Sequence, residues 1–192
     1  LSFLNSKQHH LSIISNETIN IPTDNKNLIL KAAGTINNKY SRRILLKKII
    51  PVAAGIGGGS ADAAATIRDA ISLGYKVSHQ DIVKLGADVL ACLESQPLRM
   101  TGIGDHLNLI DLWPRDGYIV LVNPRIPLAT KEVFAALEQK NNNPMPSRLP
   151  IFSSFKELVH FVRRHRNDLE ETAIKLEPII KKVLLEICKN KN

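Results

Sequence analysis

The most informative stretch of this chain of 192 residues is Pro51-Val52-Ala53-Ala54-Gly55-Ile56-Gly57-Gly58-Gly59-Ser60-Ala61-Asp62-Ala63-Ala64-Ala65. Four of the five residues from Gly55 to Gly59 are glycines, which lack a Cβ atom and let backbone N–H groups approach a ligand. Alanine, the best helix former, dominates the residues that follow. A glycine turn that opens a helix brings unpaired N–H groups and the positive end of the helix dipole to one point. The stretch therefore predicts an anion site, and phosphate is the usual anion.

Three other interpretations of this stretch are weaker. A flexible linker lacks an apolar helix directly after it. The common P-loop requires Gly-Lys-Ser/Thr at its end, whereas Gly59 is followed by Ser60-Ala61-Asp62. The dinucleotide fingerprint Gly-x-Gly-x-x-Gly also fits poorly, because Ser60 stands where its last glycine should be.

Composition indicates an ordinary globular protein of one or two domains, with 44% hydrophobic and 23% charged residues. No apolar run approaches the roughly 18 residues of a membrane span, and no signal peptide is visible. Cys92 and Cys188 make no disulfide framework, so a cytoplasmic location is expected. No His/Cys/Asp/Glu spacing indicates a zinc site.

The formal net charge of +8 suits a polyanionic substrate, and it does not by itself indicate nucleic-acid binding. The basic residues are scattered in short groups such as Arg42-Arg43 and Lys47-Lys48. Aromatic residues make up only 5% of the chain, and none interleaves with these groups as a stacking platform for bases would require.

Hydrophobic periodicity predicts strands mixed with helices in the first two thirds of the chain and helices alone in the last third, which is an α+β pattern. The predicted strands are 11–14, 18–21, 44–50, 98–103 and the buried apolar run 118–122. The predicted helices are 27–38, the glycine-loop helix up to Gly74, 78–86 with a Ser78 cap, 130–137 with a Thr130 cap, and three more opened by Ser154, Asp168 and Pro178.

The glycine stretch resembles the phosphate loop of the GHMP kinases, Pro-x-x-x-Gly-Leu-Gly-[Gly/Ser]-[Gly/Ser]-Ser-[Ser/Ala]-x-Ala, with Ile56 in place of leucine. Further segments resemble one branch of that family, and they occur in the same order across roughly residues 20–185. These segments are Asn27-Leu28-Ile29, Gly86-Ala87-Asp88-Val89, Gly102-Ile103-Gly104-Asp105, Asn123-Pro124 through Thr130-x-x-x-Phe134, and Asn167-Asp168-Leu169-Glu170 with Pro178.

The resemblance implies an ATP- and Mg²⁺-dependent kinase of the non-mevalonate isoprenoid pathway. Such an enzyme phosphorylates the 2-hydroxyl of a small cytidine-diphosphate-linked methylerythritol, and neither nucleic acid nor a membrane is an expected partner. The implied architecture places an N-terminal ATP-binding domain with a ribosomal-protein-like β-α-β unit at residues 1–112. A partial ferredoxin-like C-terminal domain would occupy residues 113–192.

The resemblance also implies a set of site residues. Asp88 would accept or orient the proton of the substrate hydroxyl, and Phe134 would stack on the cytosine ring. The implied phosphate-binding residues are Gly55, Ile56, Gly57, Gly58, Gly59 and Ser60; the adenine-side residues are Asn27, Ile29 and Lys48; the substrate-binding residues are Thr130 and Phe134.

The residues taken alone leave structural interpretations open. Asp88 could be a helix-end aspartate satisfied by local N–H groups, and Asp62 could complement the helix dipole. Phe134 could be a core residue of its helix, and Thr130 could be only an N-cap. Lys48 could be an exposed strand lysine.

The chain also departs from the family pattern. The family's Ala-Lys-Ile-Asn-Leu…Gly-Tyr-His segment would precede Leu1, and its Met-Ser-Gly-Ser-Gly-Ala-Thr segment would follow Asn192. An internal portion of a longer protein is therefore expected, and a protein limited to these residues is expected to be inactive. Ala61 replaces a serine and Leu90 a proline. Two alternatives stay open: another GHMP kinase acting on a sugar, homoserine or mevalonate, and a non-enzymatic RNA-binding relative.

Overall fold

A computed structural model describes residues 1–15, 21–37, 39–110, 113–114 and 116–189. The chain divides into two units, each described here by itself. Unit 1 comprises Leu1–Val52 and Ile56–Ile110, and unit 2 comprises Ala53–Gly55 and Asp111–Asn192. In the described part of the chain, none of the helices combines the length and hydropathy that a bilayer crossing requires.

Unit 1 mixes two small sheets with helices. Strand β3 lies between β1, to which it is antiparallel, and β2, to which it is parallel; β4 and β5 form an antiparallel pair. The elements are β1 Ser2–Asn5, β2 His10–Ser15, α1 Leu28–Gly34, β3 Arg42–Lys48, α2 Gly58–Ser72, α3 His79–Leu85, α4 Ala87–Glu94, β4 Leu98–Thr101 and β5 His106–Leu109.

The alternation of β3 explains its place in the sheet. Arg42, Ile44 and Leu46 are buried and the residues between them are exposed, as the period of two in a strand requires. Ile44 and Leu46 form a core cluster with Leu11 of β2 and Ile29 of α1. The cluster holds α1 against the sheet.

One face of α2, rich in alanine, packs into a second core cluster. Ala63, Ala64 and Ile67 are fully buried and pack with Val89 and Leu90 of α4. Alanine side chains allow neighbouring helices to approach closely, so α2 and α4 are packed directly against each other.

Two predicted helix starts in unit 1 are confirmed. The Asn27 side chain caps α1 by accepting the Ile29 N–H at 3.0 Å, and the Ser78 hydroxyl caps α3 by accepting the Asp81 N–H at 3.1 Å. Helix α1 ends at Gly34, earlier than predicted. Residues 18–20 of the predicted strand 18–21, and residue 38 at the predicted end of α1, lie outside the described residues.

The regular secondary structure described in unit 2 consists of helices. Its helices are α5 Thr130–Ala136, α6 Phe155–Val162, α7 Glu170–Leu176 and α8 Ile179–Lys189. The Ser154 cap of α6 is confirmed, because its hydroxyl accepts the Glu157 N–H at 3.3 Å. Two other predicted caps are wrong: Ala129 stands at the N-cap of α5 and Leu169 at that of α7. Asp168 instead pairs with Arg166 at 2.6 Å.

The predicted buried strand 118–122 is wrong. These residues form no strand in the structure, and their exposed fractions run from 95% at Tyr118 to 53% at Val122. An apolar run indicates burial only where another element covers it. In the described residues of unit 2 no strand pairs with this run.

A buried polar cluster joins the start of β3 to the C-terminal half of α2. Asp69 accepts the Arg42 Nε–H at 2.9 Å and the Tyr40 hydroxyl at 3.0 Å. Tyr40 is 2% exposed. Burial, followed by the hydrogen bond and charge of Asp69, raises the pKa of the Tyr40 hydroxyl far above its usual range. The hydroxyl therefore stays protonated and donates to Asp69.

We predict that Asp69→Asn lowers the free energy of unfolding by about 2–3 kcal/mol, because it leaves the Arg42 charge largely buried without its partner. Lys84→Gln is the matched control, since it breaks the Lys84–Asp81 pair, in which the lysine side chain is 74% exposed. That change should cost about 0.5 kcal/mol or less. Urea unfolding followed by circular dichroism measures both, and equal losses would contradict the buried-pair account.

Candidate functional site

The glycine loop has the backbone that its sequence predicts. Gly55 and Gly57 adopt left-handed φ angles of 73° and 68°, a conformation that glycine tolerates without steric cost. Ala53 is also left-handed, at 56°, although it carries a Cβ atom. This costs about 1 kcal/mol for an L-residue, so the surrounding chain holds the loop in its shape.

Gly57 is the N-cap of α2, and it offers no side chain to cap the helix. The Ala61 N–H donates to the Gly57 carbonyl at 2.9 Å, so the N–H groups of residues 58–60 precede the first bond of the helix. A Cβ atom built on Gly57 or Gly59 would meet no heavy atom within 4 Å. The helix start is therefore open, and its dipole favours an anion there.

An ion pair lies beside this helix start. Lys48 Nζ is 2.7 Å from Asp62 Oδ2, and the two side chains are only 12% and 20% exposed. The same ammonium lies 3.3 Å from the position that a Cβ atom of Gly58 would take. Lys48 is therefore not an exposed strand lysine, and Asp62 does more than complement the helix dipole. Sequence reasoning missed the pair because no periodicity links a strand end to a helix 14 residues later.

Asp88 lies in the first turn of α4, the helix that packs against α2, and its side chain is exposed. Gly86 is the N-cap of α4 and provides no side-chain cap. Within the described ranges, no hydrogen bond or ion pair engages the Asp88 carboxylate, so local satisfaction does not explain this residue. The Asp88 charge also acts on Cys92, which lies one turn later in α4. Burial, and then the negative charge of Asp88, raise the pKa of the Cys92 thiol.

Arg68 is a further residue that sequence reasoning missed. It belongs to α2, and its Nη1 donates to the Cys92 carbonyl of α4 at 2.7 Å. A cation at the last carbonyls of a helix is favourable. Arg68 therefore adds a polar tie between the glycine-loop helix and the helix of Asp88.

The predicted adenine-side residues Asn27 and Ile29 lie at the start of α1. The Asn27 side chain is engaged on both sides, because its Nδ2 donates to the Pro22 carbonyl at 2.7 Å while its Oδ1 caps the helix. Ile29 is 1% exposed in the core. Their roles toward adenine stay predictions.

The predicted substrate residues Thr130 and Phe134 lie on α5 of unit 2. Phe134 is 54% exposed, so it is not a core residue of its helix. Thr130 lines a cavity of about 300 Å³ together with Gly55 and Leu169. Across the part of the chain that the structure describes, no three His, Cys, Asp or Glu side chains converge as a metal site.

The conformation of the loop predicts opposite effects for two neighbouring substitutions. Gly57→Ala should lower the free energy of unfolding by about 1 kcal/mol, because its φ is left-handed. Gly59→Ala should raise the free energy of unfolding by up to about 1 kcal/mol, since it replaces a glycine inside α2 with the best helix former and meets open space. Urea denaturation of both variants tests this. The same sign for both would contradict the loop conformation.

Comparison with known proteins agrees with this geometry. The family model for the GHMP kinases N terminal domain matches residues 27–105. The 4-diphosphocytidyl-2-C-methyl-D-erythritol kinase of Cereibacter sphaeroides (strain ATCC 17025 / ATH 2.4.3) is 42% identical over 170 residues, which cover 88% of this chain and 61% of the relative. The enzyme of that name from Ruegeria pomeroyi is 43% identical over 176 residues, covering 91% and 63%.

The crystal structure of a 4-(cytidine 5'-diphospho)-2C-methyl-D-erythritol kinase matches with a TM-score of 0.60 and 25% identity, over 95% of this chain and 66% of that one. The chain thus spans about three fifths of the length of the curated relatives described above. The α+β fold and the glycine loop of the chain are consistent with its similarity to these kinases. Residues 27–105 therefore match the N-terminal domain of the GHMP kinases, and the chain is similar to 4-diphosphocytidyl-2-C-methyl-D-erythritol kinases over about nine tenths of its length.

Proposed function

We propose that this protein transfers the γ-phosphoryl group of ATP to the 2-hydroxyl of 4-diphosphocytidyl-2-C-methyl-D-erythritol. The observation that carries the proposal is the open, glycine-built start of α2 in a chain 42% identical to a kinase of that name. Similarity to the GHMP kinases implies the use of ATP. The proposed acceptor is the compound for which the similar kinases are named.

The loop residues Gly55, Ile56, Gly57, Gly58, Gly59 and Ser60 would hold the ATP phosphates. Their backbone N–H groups and the α2 dipole favour the negative charge of the phosphates without any side-chain chemistry. Glycine is needed because a Cβ atom would occupy the open space beside Gly57 and Gly59. Mg²⁺ is held chiefly by substrate phosphates and one or two carboxylates in such enzymes, and it would neutralise phosphate charge.

Asp88 would serve the acceptor. The substrate hydroxyl oxygen forms a bond to the γ-phosphorus, and the bond between that phosphorus and the β,γ-bridging oxygen breaks, so ADP leaves with the electron pair. The hydroxyl proton passes to the Asp88 carboxylate. The carboxylate is exposed and has no partner among the described residues, so it is available to accept this proton.

Phe134 and Thr130 would bind the cytidine side of the substrate. The exposed ring of Phe134 offers a face for stacking, which is worth about 1–3 kcal/mol per base. Asn27, Ile29 and Lys48 would lie near the adenine. Residues 1–112 would act as the ATP-binding domain and residues 113–192 as part of the C-terminal domain, in a cytoplasmic protein.

We predict that Asp88→Asn in the full-length protein lowers kcat by about 10²–10⁴-fold, because the amide cannot take up the hydroxyl proton. The dissociation constant for ATP should change by less than about threefold, since the phosphate cradle is main chain. Glu94→Gln, an exposed carboxylate on the same helix, is the matched control and should leave both constants unchanged. Near-normal turnover of Asp88→Asn would remove its assigned role.

The acceptor is tested separately with a substrate panel. The wild-type protein should phosphorylate the cytidine conjugate, with ADP release measured by a coupled assay and the product by mass spectrometry. Phosphorylation of homoserine, mevalonate or a sugar instead would assign another GHMP kinase activity. Salt-sensitive RNA binding without ATP binding would contradict a kinase altogether.

A further inference from the structure

The Lys48–Asp62 pair connects the two ends of the glycine loop. Lys48 is the last residue of β3, and Asp62 lies in the second turn of α2, so the whole loop runs between them. At 2.7 Å the contact is a charge-assisted hydrogen bond. The contact therefore fixes the end of β3, before the loop, to the start of α2, after it.

The pair is sheltered enough to matter. Ion pairs exposed to solvent contribute little, because water and salt screen them. The Lys48 and Asp62 side chains are 12% and 20% exposed, whereas the Lys84 side chain of the surface pair Lys84–Asp81 is 74% exposed. A sheltered pair therefore can hold a loop that otherwise carries a conformational cost.

The loop between these residues carries that cost. Ala53, Gly55 and Gly57 all have left-handed φ angles, and glycine residues lose more backbone freedom on ordering than any other residue. A loop that is already ordered binds its ligand more tightly than one that must be ordered on binding. The position of the ammonium, 3.3 Å from the Cβ site of Gly58, places the contact directly at the helix start.

We propose that the Lys48–Asp62 ion pair is a clasp that holds the glycine loop in the conformation that binds nucleotide phosphates. Asp62 is then a positioning residue for ATP, although it carries the same sign of charge as the ligand. Lys48 acts with it as the other half of the clasp. The inference rests on the proposed function, because it concerns the nucleotide of that site.

The sign of one effect separates the clasp from simple electrostatics. Asp62→Asn removes a negative charge close to the phosphates, and Coulomb repulsion alone predicts tighter ATP binding. The clasp predicts weaker binding, because the loop must then be ordered by the ligand. A contact made only to the purine predicts equal losses for ATP and for adenosine.

The experiment compares ATP with adenosine by isothermal titration calorimetry, in the wild-type protein and in Asp62→Asn and Lys48→Met. Asp62→Asn should weaken ATP binding by about three- to tenfold and adenosine binding by less than about twofold, and Lys48→Met should weaken ATP binding by at least as much as Asp62→Asn does. The double variant should bind ATP as Lys48→Met does, since that substitution alone already breaks the ion pair. Urea midpoints recorded on the same samples confirm that the variants are folded.

Two control variants separate the effect of the clasp on ATP affinity from the effect of losing a nearby charge and from the effect of lower stability. Lys47→Met removes the neighbouring exposed charge of β3, and it should change ATP affinity by less than about twofold at physiological salt. Asp69→Asn breaks a second ion pair between β3 and α2, and it should lower stability without changing the ratio of ATP to adenosine affinity.

The possible failures are distinguishable. A wild-type protein that binds no ATP would overturn the proposed function and the clasp together. If the wild-type protein binds ATP and Asp62→Asn binds ATP equally well or more tightly, the clasp alone is overturned. Equal losses of ATP and adenosine affinity in Asp62→Asn, or additive losses of ATP affinity in the double variant, would also overturn the clasp.

Discussion

The burial of one face of α2 is the constraint on which unit 1 depends. Ala63, Ala64, Ile67 and Ala70 are fully buried, and the three alanines are small enough for neighbouring helices to lie close. Burial of apolar surface contributes about 25 cal/mol per Å², so this face holds α2 against its neighbours. Because the glycines open this same helix, its packing also determines where the unpaired N–H groups point.

Polar ties add direction to this packing. Arg42–Asp69 joins the start of β3 to the C-terminal half of α2, and Lys48–Asp62 joins the end of β3 to its N-terminal half. Arg68 connects the same helix to α4. Helix α2 is therefore held along its length, and a rigid support of this kind is what a main-chain phosphate cradle needs, since the N–H groups must keep their positions without a ligand.

Local chemistry could be predicted from the sequence, and distant pairing could not. Glycine spacing, alanine content and the hydroxyls of Ser78 and Ser154 act within a few residues, so the loop and these two caps followed directly. Asp168 was mispredicted as a cap because its carboxylate pairs with Arg166 instead. The run 118–122 was mispredicted because hydrophobicity shows that burial is favourable and not what covers the residues. The partner of Lys48 depends on how a strand and a helix meet in space.

Amide NMR of ¹⁵N-labelled protein, titrated with ATP and with adenosine, tests directly whether the start of α2 binds phosphates. If the start of α2 cradles phosphates, the N–H signals of Gly57, Gly58, Gly59 and Ser60 should show the largest shifts with ATP and small ones with adenosine. Loop signals that stay unmoved while other residues respond to ATP, or that respond equally to adenosine, would contradict the account.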